Sequence, residues 1–308
     1  MIGETWMKWA LLESIAKVLS KIIQKWIGIV STTIAHSFFA TLVIGIIRIL
    51  ISGIAVWKYK VPVFVEKHLV FGAIGFGIGA VIASVLSFSV FILGGDVGVN
   101  TFIVTLAIVP GAFVDRIFFN HSISVRAWCG VGVAILAGYV VLGMPTLTEL
   151  AHLPMWVGLS FGAMFAVTGN QVITQMIKDI NPMVKNFWGG ITEVILCTAI
   201  LFLIDPVVFK NGWSVGEGNL ALGAAICGVI GVAMWSFNVL AYKGGAWIAL
   251  KKLVMNASYL TMAMIAGIVL FGEDASVTKF AGVALYLVAF VLIDDKTWKA
   301  FTGRHNHV

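Results

Sequence analysis

Two stretches of the chain resemble each other and decide how the fold is interpreted. Residues 118–142 read FFNHSISVRAWCGVGVAILAGYVVL, and residues 270–293 read LFGEDASVTKFAGVALYLVAFVLI. Aligned at an offset of 152 residues, they pair Gly130 with Gly282, and each puts a short polar segment before a long apolar run. A feature that recurs in this way predicts an internal repeat.

A second match lies earlier in each half. GAIGFGIGAV at residues 72–81 corresponds to GAAICGVIGV at residues 223–232, at an offset of 151. Chance similarity between apolar segments is the alternative, but the two matches occur in the same order in both halves. We therefore divide the chain into a first repeat, 1–145, and a second repeat, 146–308. The glycines in these segments suit close helix packing.

The composition indicates a membrane protein. Of the 308 residues, 60% are hydrophobic and 11% are charged, against roughly 25% charged in soluble domains. Apolar runs long enough to span a bilayer recur along the whole chain and leave no room for a separate soluble domain. The net charge of +6 is then typical of basic cytoplasmic loops. The expected partner is the lipid bilayer, with no nucleic acid.

The apolar runs predict an all-α polytopic membrane protein with ten transmembrane helices. The predicted helices cover residues 6–30, 36–57, 67–93, 97–119, 124–143, 155–177, 183–204, 219–242, 246–271 and 275–293. Because each half holds five helices, an odd number, the second half must enter the membrane from the opposite side. The prediction is therefore two inverted five-helix repeats that form one membrane unit.

The first predicted helix differs from the others because it carries a polar stripe. Glu13, Lys17, Lys21 and Lys25 fall within an arc of roughly 120° at 100° per residue. Such a helix could lie on the membrane surface. It could also cross the membrane with the stripe turned into a bundle, and we count it as spanning.

Basic residues predict the orientation. If the N-terminus is cytoplasmic, most lysines and arginines outside the apolar runs fall at cytoplasmic helix ends. Little beyond Lys21, Lys25, Lys210 and Lys279 falls on the other side. This asymmetry predicts that both termini are cytoplasmic, in the cell membrane or an inner membrane.

The end of each half resembles a known family. LFGED at 270–274, a short linker and KFAGVALYLVAFVLI at 279–293 are similar to the ending of the drug/metabolite transporter superfamily, particularly its EamA-like ten-helix branch. In the first half Asn120 or His121 replaces the acidic residue of that ending. The resemblance implies two inverted repeats around a central cavity, and export or exchange of small metabolites.

Arg48 and Glu193 are the first candidates for a substrate site. Each lies 12 residues after a polar residue near the start of its predicted helix, His36 and Asn181, and so about 18 Å along the helix axis. One interpretation is that both face the cavity, where Arg48 holds an anionic group and Glu193 a cationic group or a proton. The other is a structural ion pair between the repeats.

Lys251 and Lys252 are adjacent in the ninth predicted helix. The pair resembles the basic pair with which sugar-phosphate and nucleotide-sugar translocators of the same superfamily engage phosphate. The alternatives are pairing with another helix, for example through Glu13 or Glu193, and snorkelling to the membrane interface.

The remaining candidates are amides, aromatic rings and charged groups within apolar runs. Helical amides and tryptophans could contact substrate, although packing against neighbouring helices is the alternative. The candidates for substrate contact are Asn238, Asn256, Trp188 and Trp235. Buried carboxylates could couple transport to protons, and the coupling candidates are Glu13, Lys17 and Glu193.

These observations predict a secondary transporter that moves a small polar metabolite, amino-acid-like or anionic and phosphorylated, by alternating access. The sequence contains no P-loop for ATP and no HExxH or GxGD motif, so we expect no enzyme activity, no cofactor and no metal. The alternatives are a membrane-embedded enzyme and a structural or channel subunit without carrier activity. The transporter would be a monomer or a homodimer.

Overall fold

The protein is built from α-helices. The computed structural model describes residues 5–120, 124–146, 148–149, 152–204 and 215–293, and within these ranges there is no β-strand. The helices are, in chain order, α1 (Thr5–Val30), α2 (Ala35–Lys58), α3 (Lys67–Ile92), α4 (Val97–Thr105), α5 (Ile108–Ile117), α6 (Val125–Val141), α7 (Met155–Met176), α8 (Pro182–Ile204), α9 (Val215–Lys243), α10 (Ile248–Phe271) and α11 (Val277–Ile293). The predicted cytoplasmic termini, 1–4 and 294–308, lie outside the described residues.

Seven helical segments are long and apolar enough to cross a membrane. They are Ala35–Lys58, Lys67–Ile92, Val97–Ile117, Met155–Met176, Pro182–Ile204, Gly218–Lys243 and Val254–Phe271. The apolar helices α6 and α11 are shorter, with 17 residues each. This set of helices makes the chain an α-helical integral membrane protein.

Helix α1 is not among the seven segments, because charged residues recur along it. Its polar stripe faces the interior: Glu13 is 0% exposed and Lys21 is 7% exposed. Its apolar side chains face outward, with Leu11, Ile15 and Leu19 between 44% and 49% exposed. A helix at the edge of a membrane-embedded bundle, with one side toward lipid and the other toward neighbouring helices, distributes its residues in this way.

The segment predicted as one helix over 97–119 is two helices, α4 and α5, which meet at a turn through Leu106 and Ala107. Pro110 explains the break. In a continuous helix the N–H of residue 110 would donate to the carbonyl of Leu106, but proline has no N–H and its ring would collide with that carbonyl.

The helices of the two halves pack against each other. Helix α2 packs against α8, α6 against α11, α1 against α9 and α3 against α7, while α4 and α5 pack against α10. Helices α2 and α8 cross closely at two glycines. A Cβ atom on Gly190 would lie 2.9 Å from the carbonyl oxygen of Gly45, and one on Gly45 would lie 3.2 Å from the oxygen of Gly190.

Candidate functional site

A cavity lies inside the bundle, between α1, α3, α9 and α10. Its interior volume is about 90 Å³. It is lined by Lys17, Ser20, Lys21, Gln24, Ile44, Ala83, Ser84, Ser87, Val104, Val167, Cys227, Gly231, Met234, Trp235, Lys252, Met255, Asn256 and Tyr259. Three of these residues are lysines, and no acidic residue is among them. The predicted residues Lys17, Lys252, Asn256 and Trp235 thus come together here.

A carboxylate beside the cavity forms ion pairs with two lysines, which share its single negative charge. Glu13 Oε1 lies 2.8 Å from Lys17 Nζ, and Glu13 Oε2 lies 2.9 Å from Lys251 Nζ. Glu13 and Lys251 are completely buried. Lys251 therefore makes the contact that the sequence offered as an alternative to substrate binding, an ion pair with Glu13 on another helix.

Uncharged side chains extend this ion-pair cluster. Asn238 Nδ2 donates to Glu13 Oε1 at 3.1 Å and to Gln171 Oε1 at 3.0 Å. The Tyr242 hydroxyl donates to the same Gln171 oxygen at 2.6 Å, and the Lys251 ammonium lies 4.4 Å from the centre of the Tyr242 ring. Asn238 therefore positions Glu13, behind the lysines that face the cavity.

Two lysines of the cavity have no carboxylate partner among the residues that the structure describes. Lys21 Nζ donates to Ser87 Oγ at 3.2 Å and to Asn100 Oδ1 at 3.3 Å, both neutral acceptors. Lys252 is 1% exposed, and its ammonium has no hydrogen-bond acceptor within the described ranges. The cavity wall therefore includes two lysine side chains, Lys21 and Lys252, that form no ion pair with a described carboxylate.

Asn256 and Trp235 contribute to both the wall and the packing of helices. Asn256 Nδ2 donates to the Thr105 carbonyl and to the Tyr286 hydroxyl, both at 3.0 Å, so its amide hydrogens join α10 to neighbouring helices. The Trp235 ring packs edge-on against Phe76, with ring centroids 4.9 Å apart. Trp235 leaves an aromatic surface along the cavity.

Arg48 and Glu193 bind each other, away from the cavity lining. Arg48 Nη1 donates to Glu193 Oε1, and Arg48 Nη2 donates to Asn186 Oδ1 at 3.1 Å. Asn186 in turn donates to Ser236 Oγ at 3.1 Å. Both charged side chains are fully buried, and the geometry favours the second interpretation of the sequence, an ion pair between the halves.

Trp188 lies elsewhere, at the connection between α2 and α3. Its indole N–H donates to the carbonyl oxygen of Val63 at 3.0 Å, and its ring contacts Phe64 with centroids 5.8 Å apart. The structure therefore does not bring Trp188 to the cavity that Trp235 lines.

Lys185 is a buried charge that the sequence prediction assigned only to a cytoplasmic helix end. Its side chain is 0% exposed, and the ammonium lies 3.9 Å from the centre of the Phe76 ring and 5.6 Å from that of Trp235. Its Nζ donates to Thr174 Oγ1 at 3.3 Å. The predicted helix over 183–204 already contained Lys185, but the aromatic rings that surround its ammonium lie on other helices and could not be assigned from the sequence.

A second charged group, here called the loop cluster, comprises Lys25, Asp96, Glu273 and Lys279. Glu273 Oε1 accepts the N–H of Val97 at 2.6 Å at the start of α4, and it lies 3.8 Å from Lys25 Nζ. Lys279 Nζ pairs with Asp96 Oδ2 at 2.6 Å. Charged groups from α1, α11 and two loops therefore meet at one end of the bundle.

The two carboxyl groups of the loop cluster have opposite pKa shifts. Burial, together with the neighbouring Asp96 carboxylate, raises the pKa of Glu273 to about 7. Burial also acts to raise the pKa of Asp96, but its hydrogen bonds from Lys279 and from the N–H of Val99 outweigh burial and lower that pKa. Near neutral pH, Glu273 is therefore the member of the pair that titrates.

No group of His, Cys, Asp and Glu within the described ranges could hold a metal ion. No family model matches the chain, and no curated protein matches it by sequence. A solved structure described as "Crystal structure of protein" is similar in fold, with a TM-score of 0.65 and 12% identity, over 94% of this chain and 98% of that chain. At this identity the likeness concerns the fold alone.

Proposed function

We propose that the protein is a secondary transporter that carries a small anionic metabolite across the membrane by alternating access. The observation that carries this proposal is the cavity, where the amino groups of Lys21 and Lys252 form no ion pair with a carboxylate of the described residues. Burying an ammonium group in a membrane costs about 2.5–3.5 kcal/mol even on insertion scales. A bound anion would offset that cost.

The proposed architecture is two inverted five-helix repeats, 1–145 and 146–308, with α4 and α5 counted as one crossing. The packing of the helices supports this arrangement. An axis that exchanges the repeats maps α1 onto α7 and α9 onto α3, so the α1–α9 pair maps onto the α7–α3 pair. The same axis maps α2 onto α8 and α6 onto α11, so the α2–α8 and α6–α11 pairs each map onto themselves. All of these pairs are in contact, as a pseudo-twofold axis requires.

Glycines of the sequence repeat support the same axis. A Cβ on Gly77 would lie 2.6 Å from Thr192 Cβ, and a Cβ on Gly228 would lie 2.8 Å from Ile47 Cβ. Gly228 follows Gly77 by 151 residues, and Thr192 follows Ile47 by 145 residues, close to the offset expected between repeats. Equivalent glycines therefore contact equivalent positions of the opposite repeat.

The volume of the cavity supports a carrier that must change shape. About 90 Å³ is well below the 300–1,000 Å³ of typical ligand pockets. The cavity in this conformation therefore offers little space, and a substrate of several heavy atoms would fit only if the repeats move apart. Alternating access describes such a motion of one repeat against the other.

The resemblance to the EamA-like branch of the drug/metabolite transporter superfamily supports export or exchange as the direction of transport. Under this proposal both termini are cytoplasmic, and the protein lies in the cell membrane or an inner membrane. Glu13 remains the proposed proton-coupling carboxylate: Lys17 and Lys251 hold it ionised at the edge of the cavity in this conformation, so it would take up a proton only when a movement of the helices separates it from these lysines. Protonation of Glu13 would release both lysines.

Counterflow in proteoliposomes tests the proposal. Vesicles are loaded with an unlabelled mixture of succinate, glutamate and glucose 6-phosphate, and uptake of each labelled compound is measured. We expect exchange of at least one anion, a loss of about tenfold or more in Lys252→Gln, and wild-type exchange in the exposed control Lys8→Gln. Folded protein that exchanges none of these anions would contradict carrier activity and favour an enzyme or a structural subunit.

A further inference from the structure

We infer that the protein binds an anionic phospholipid in a groove at the end of α2, with the headgroup phosphate at Lys58 and Lys60 and an acyl chain along the apolar wall. The groove, here called the α2 groove, has a volume of about 740 Å³, and its wall includes Gly53, Trp57, Lys58, Lys60, Val61 and Phe187. Lipid binding here is independent of the proposed transport function, because no residue of the α2 groove lines the central cavity.

The α2 groove opens at the end of a membrane-spanning segment. Lys58 is the last residue of α2, which is long and apolar enough to cross the bilayer. Leu50, Ile54 and Trp57 are 53%, 63% and 82% exposed, and their spacing of four and three residues puts them on one face of the helix. In a membrane protein this face meets lipid tails, and tryptophans are enriched where tails meet headgroups. Because Trp57 also belongs to the groove, a lipid chain along this face reaches the groove with its headgroup end.

The wall between α2 and α8 suits an acyl chain. Apart from the two lysines, the residues that line the α2 groove are apolar. Gly53 has no side chain, and a Cβ there would lie 3.4 Å from the ring of Phe187 on α8. The missing side chain leaves a depression beside the ring, and a hydrocarbon chain that fills it removes apolar surface from contact with headgroups and water.

The two lysines of the α2 groove are available to a headgroup. Within the described residues neither lysine forms an ion pair, and the nearest acidic residue along the chain, Glu66, pairs with His68 at 3.3 Å between Oε2 and Nδ1. Both Lys58 and Lys60 are exposed. The Lys58 ammonium lies 5.8 Å from the centre of the Tyr59 ring. Lysine binds phosphate as a point charge, so the pair suits a phosphate with no cation of its own.

The backbone at Lys60 supports a role for its side chain. Helix α2 ends in a Schellman turn, in which the N–H of Val61 donates to the Val56 carbonyl at 3.0 Å and the N–H of Lys60 donates to the Trp57 carbonyl at 3.2 Å. Lys60 has a φ of 52°, in the left-handed region that glycine adopts at lower energy. A glycine would therefore form this turn more easily, and the lysine adds a second positive charge beside Lys58.

The combination of charge and apolar wall identifies the occupant as an amphiphile. A soluble phosphate compound would use the two lysines and leave the apolar wall uncovered. A zwitterionic phospholipid would bring its own cation next to them. An anionic phospholipid matches both parts of the groove, because basic residues near the membrane surface attract its headgroup.

Native mass spectrometry tests the inference on the purified protein in detergent. Equal amounts of phosphatidylglycerol and phosphatidylcholine with identical acyl chains are added, and the first bound lipid is identified. We expect phosphatidylglycerol to be preferred about tenfold or more, because each of two lysines contributes a factor of up to about five. Glycerol 3-phosphate at the same concentration should not displace it.

Paired lysine variants assign the headgroup contact. Lys58→Gln combined with Lys60→Gln should reduce the preference for phosphatidylglycerol to about onefold. The matched control, Lys8→Gln combined with Lys243→Gln, also removes two exposed lysines and should keep the wild-type preference.

Two single variants separate lipid binding from folding. Lys60→Gly should raise the thermal midpoint in detergent without added lipid, because glycine relieves the left-handed backbone, yet lower the preference by at least about twofold. Gly53→Leu fills the depression while both lysines remain. It should lower the amount of both bound lipids by about threefold or more and leave their ratio unchanged.

Four outcomes would overturn the inference. Wild-type protein that binds the two lipids equally would remove the preference for an anionic headgroup. A preference that persists in the Lys58 and Lys60 double variant would place the lipid elsewhere. An equal loss in the control variant would assign the preference to overall charge. Displacement by glycerol 3-phosphate would show a site for small phosphates that makes no use of the acyl chain.

Discussion

The Arg48–Glu193 pair joins helices α2 and α8 from positions that do not line the cavity. Its remaining polar contact, Asn186, continues the network toward α9 rather than toward the lysines. A buried ion pair is held by the attraction between its partners, so removal of one partner leaves the other charge stranded. The role of this pair can therefore be tested separately from that of the cavity.

We predict that Glu193→Gln lowers the free energy of unfolding in detergent by about 3–5 kcal/mol, because it strands the Arg48 guanidinium. The double variant Arg48→Met with Glu193→Gln removes the stranded charge and should recover most of that loss. Chemical unfolding gives the energies, and counterflow gives the activity. A double variant that is stable but does not transport would show instead that the pair binds substrate.

Glu273 leads to a prediction about pH. Its pKa is about 7 in the folded protein and about 4.3 in an unfolded chain, so the folded state binds the extra proton between these values. The stability that this proton contributes is present below about pH 4.3 and is lost as the pH rises through 7. In Glu273→Gln, the thermal midpoint should therefore fall less between pH 5 and 8 than in the wild type.

The control for Glu273→Gln is Asp179→Asn, which removes an exposed carboxyl group. It should leave the pH dependence of the midpoint as it is in the wild type. A pH profile in Glu273→Gln that parallels the wild type would exclude Glu273 as the titrating group.

At the scale of the helices, the apolar runs were sufficient to predict an all-helical membrane protein. They did not predict the break between α4 and α5, although Pro110 is present in the sequence. The length of an apolar run indicates a buried segment, but it does not show that proline lacks the N–H needed to continue the helix. The apolar runs did not assign the depth of Lys185 either, which was counted among the basic residues at cytoplasmic helix ends, whereas its ammonium packs on the ring of Phe76 from another helix. The burial of Lys21 agrees with the polar stripe predicted to turn into a bundle, although its partner Asn100 could not be read from the sequence.

The first-half counterpart of Glu273 shows a further limit of the sequence. In the first half of the chain, Asn120 or His121 stands where the second half has Glu273, and His121 lies outside the described residues. Yet Asp115 accepts a hydrogen bond from the N–H of Ile248 at the start of α10, at 3.4 Å, as Glu273 does at the start of α4. Asp115 precedes Gly267 by 152 residues, so the carboxylate at the helix start comes from different positions in the two halves of the chain.

The crossing of α2 and α8 predicts a steric effect. Gly190→Ala would put a methyl group 2.9 Å from the Gly45 carbonyl oxygen and 3.2 Å from the Ile49 backbone nitrogen, and backbone atoms cannot move aside cheaply. We expect a loss of about 1–3 kcal/mol in the free energy of unfolding. Gly158→Ala, whose Cβ would have no neighbour within 4 Å, should be neutral or slightly stabilising. Equal effects in the two variants would exclude a tight crossing.

At the scale of the whole molecule, the two ends of the bundle are held together by different contacts. One end holds the loop cluster, in which Lys25 donates to the Gly95 carbonyl at 2.5 Å and lies near Glu273. The other end holds a buried apolar cluster that includes Trp6, Tyr242 and Ile248. Alternating access would open these ends in turn, so they must face opposite sides of the membrane.

The orientation of the proposed repeats predicts which loops are exposed outside the cell. Phe64 and Ala275 are both exposed, in the α2–α3 and α10–α11 connections, and seven crossings separate them if α4 and α5 form one crossing. They must therefore face opposite sides. In a Cys129→Ser background, which removes the exposed native thiol, an impermeant maleimide should label Ala275→Cys in intact cells and Phe64→Cys only after permeabilisation. Labelling of both variants in intact cells would require an even number of crossings between them and would contradict the inverted repeat. If Phe64→Cys were labelled in intact cells and Ala275→Cys only after permeabilisation, the repeat would stand, and the loop cluster, with Lys25 and Glu273, would lie on the cytoplasmic side.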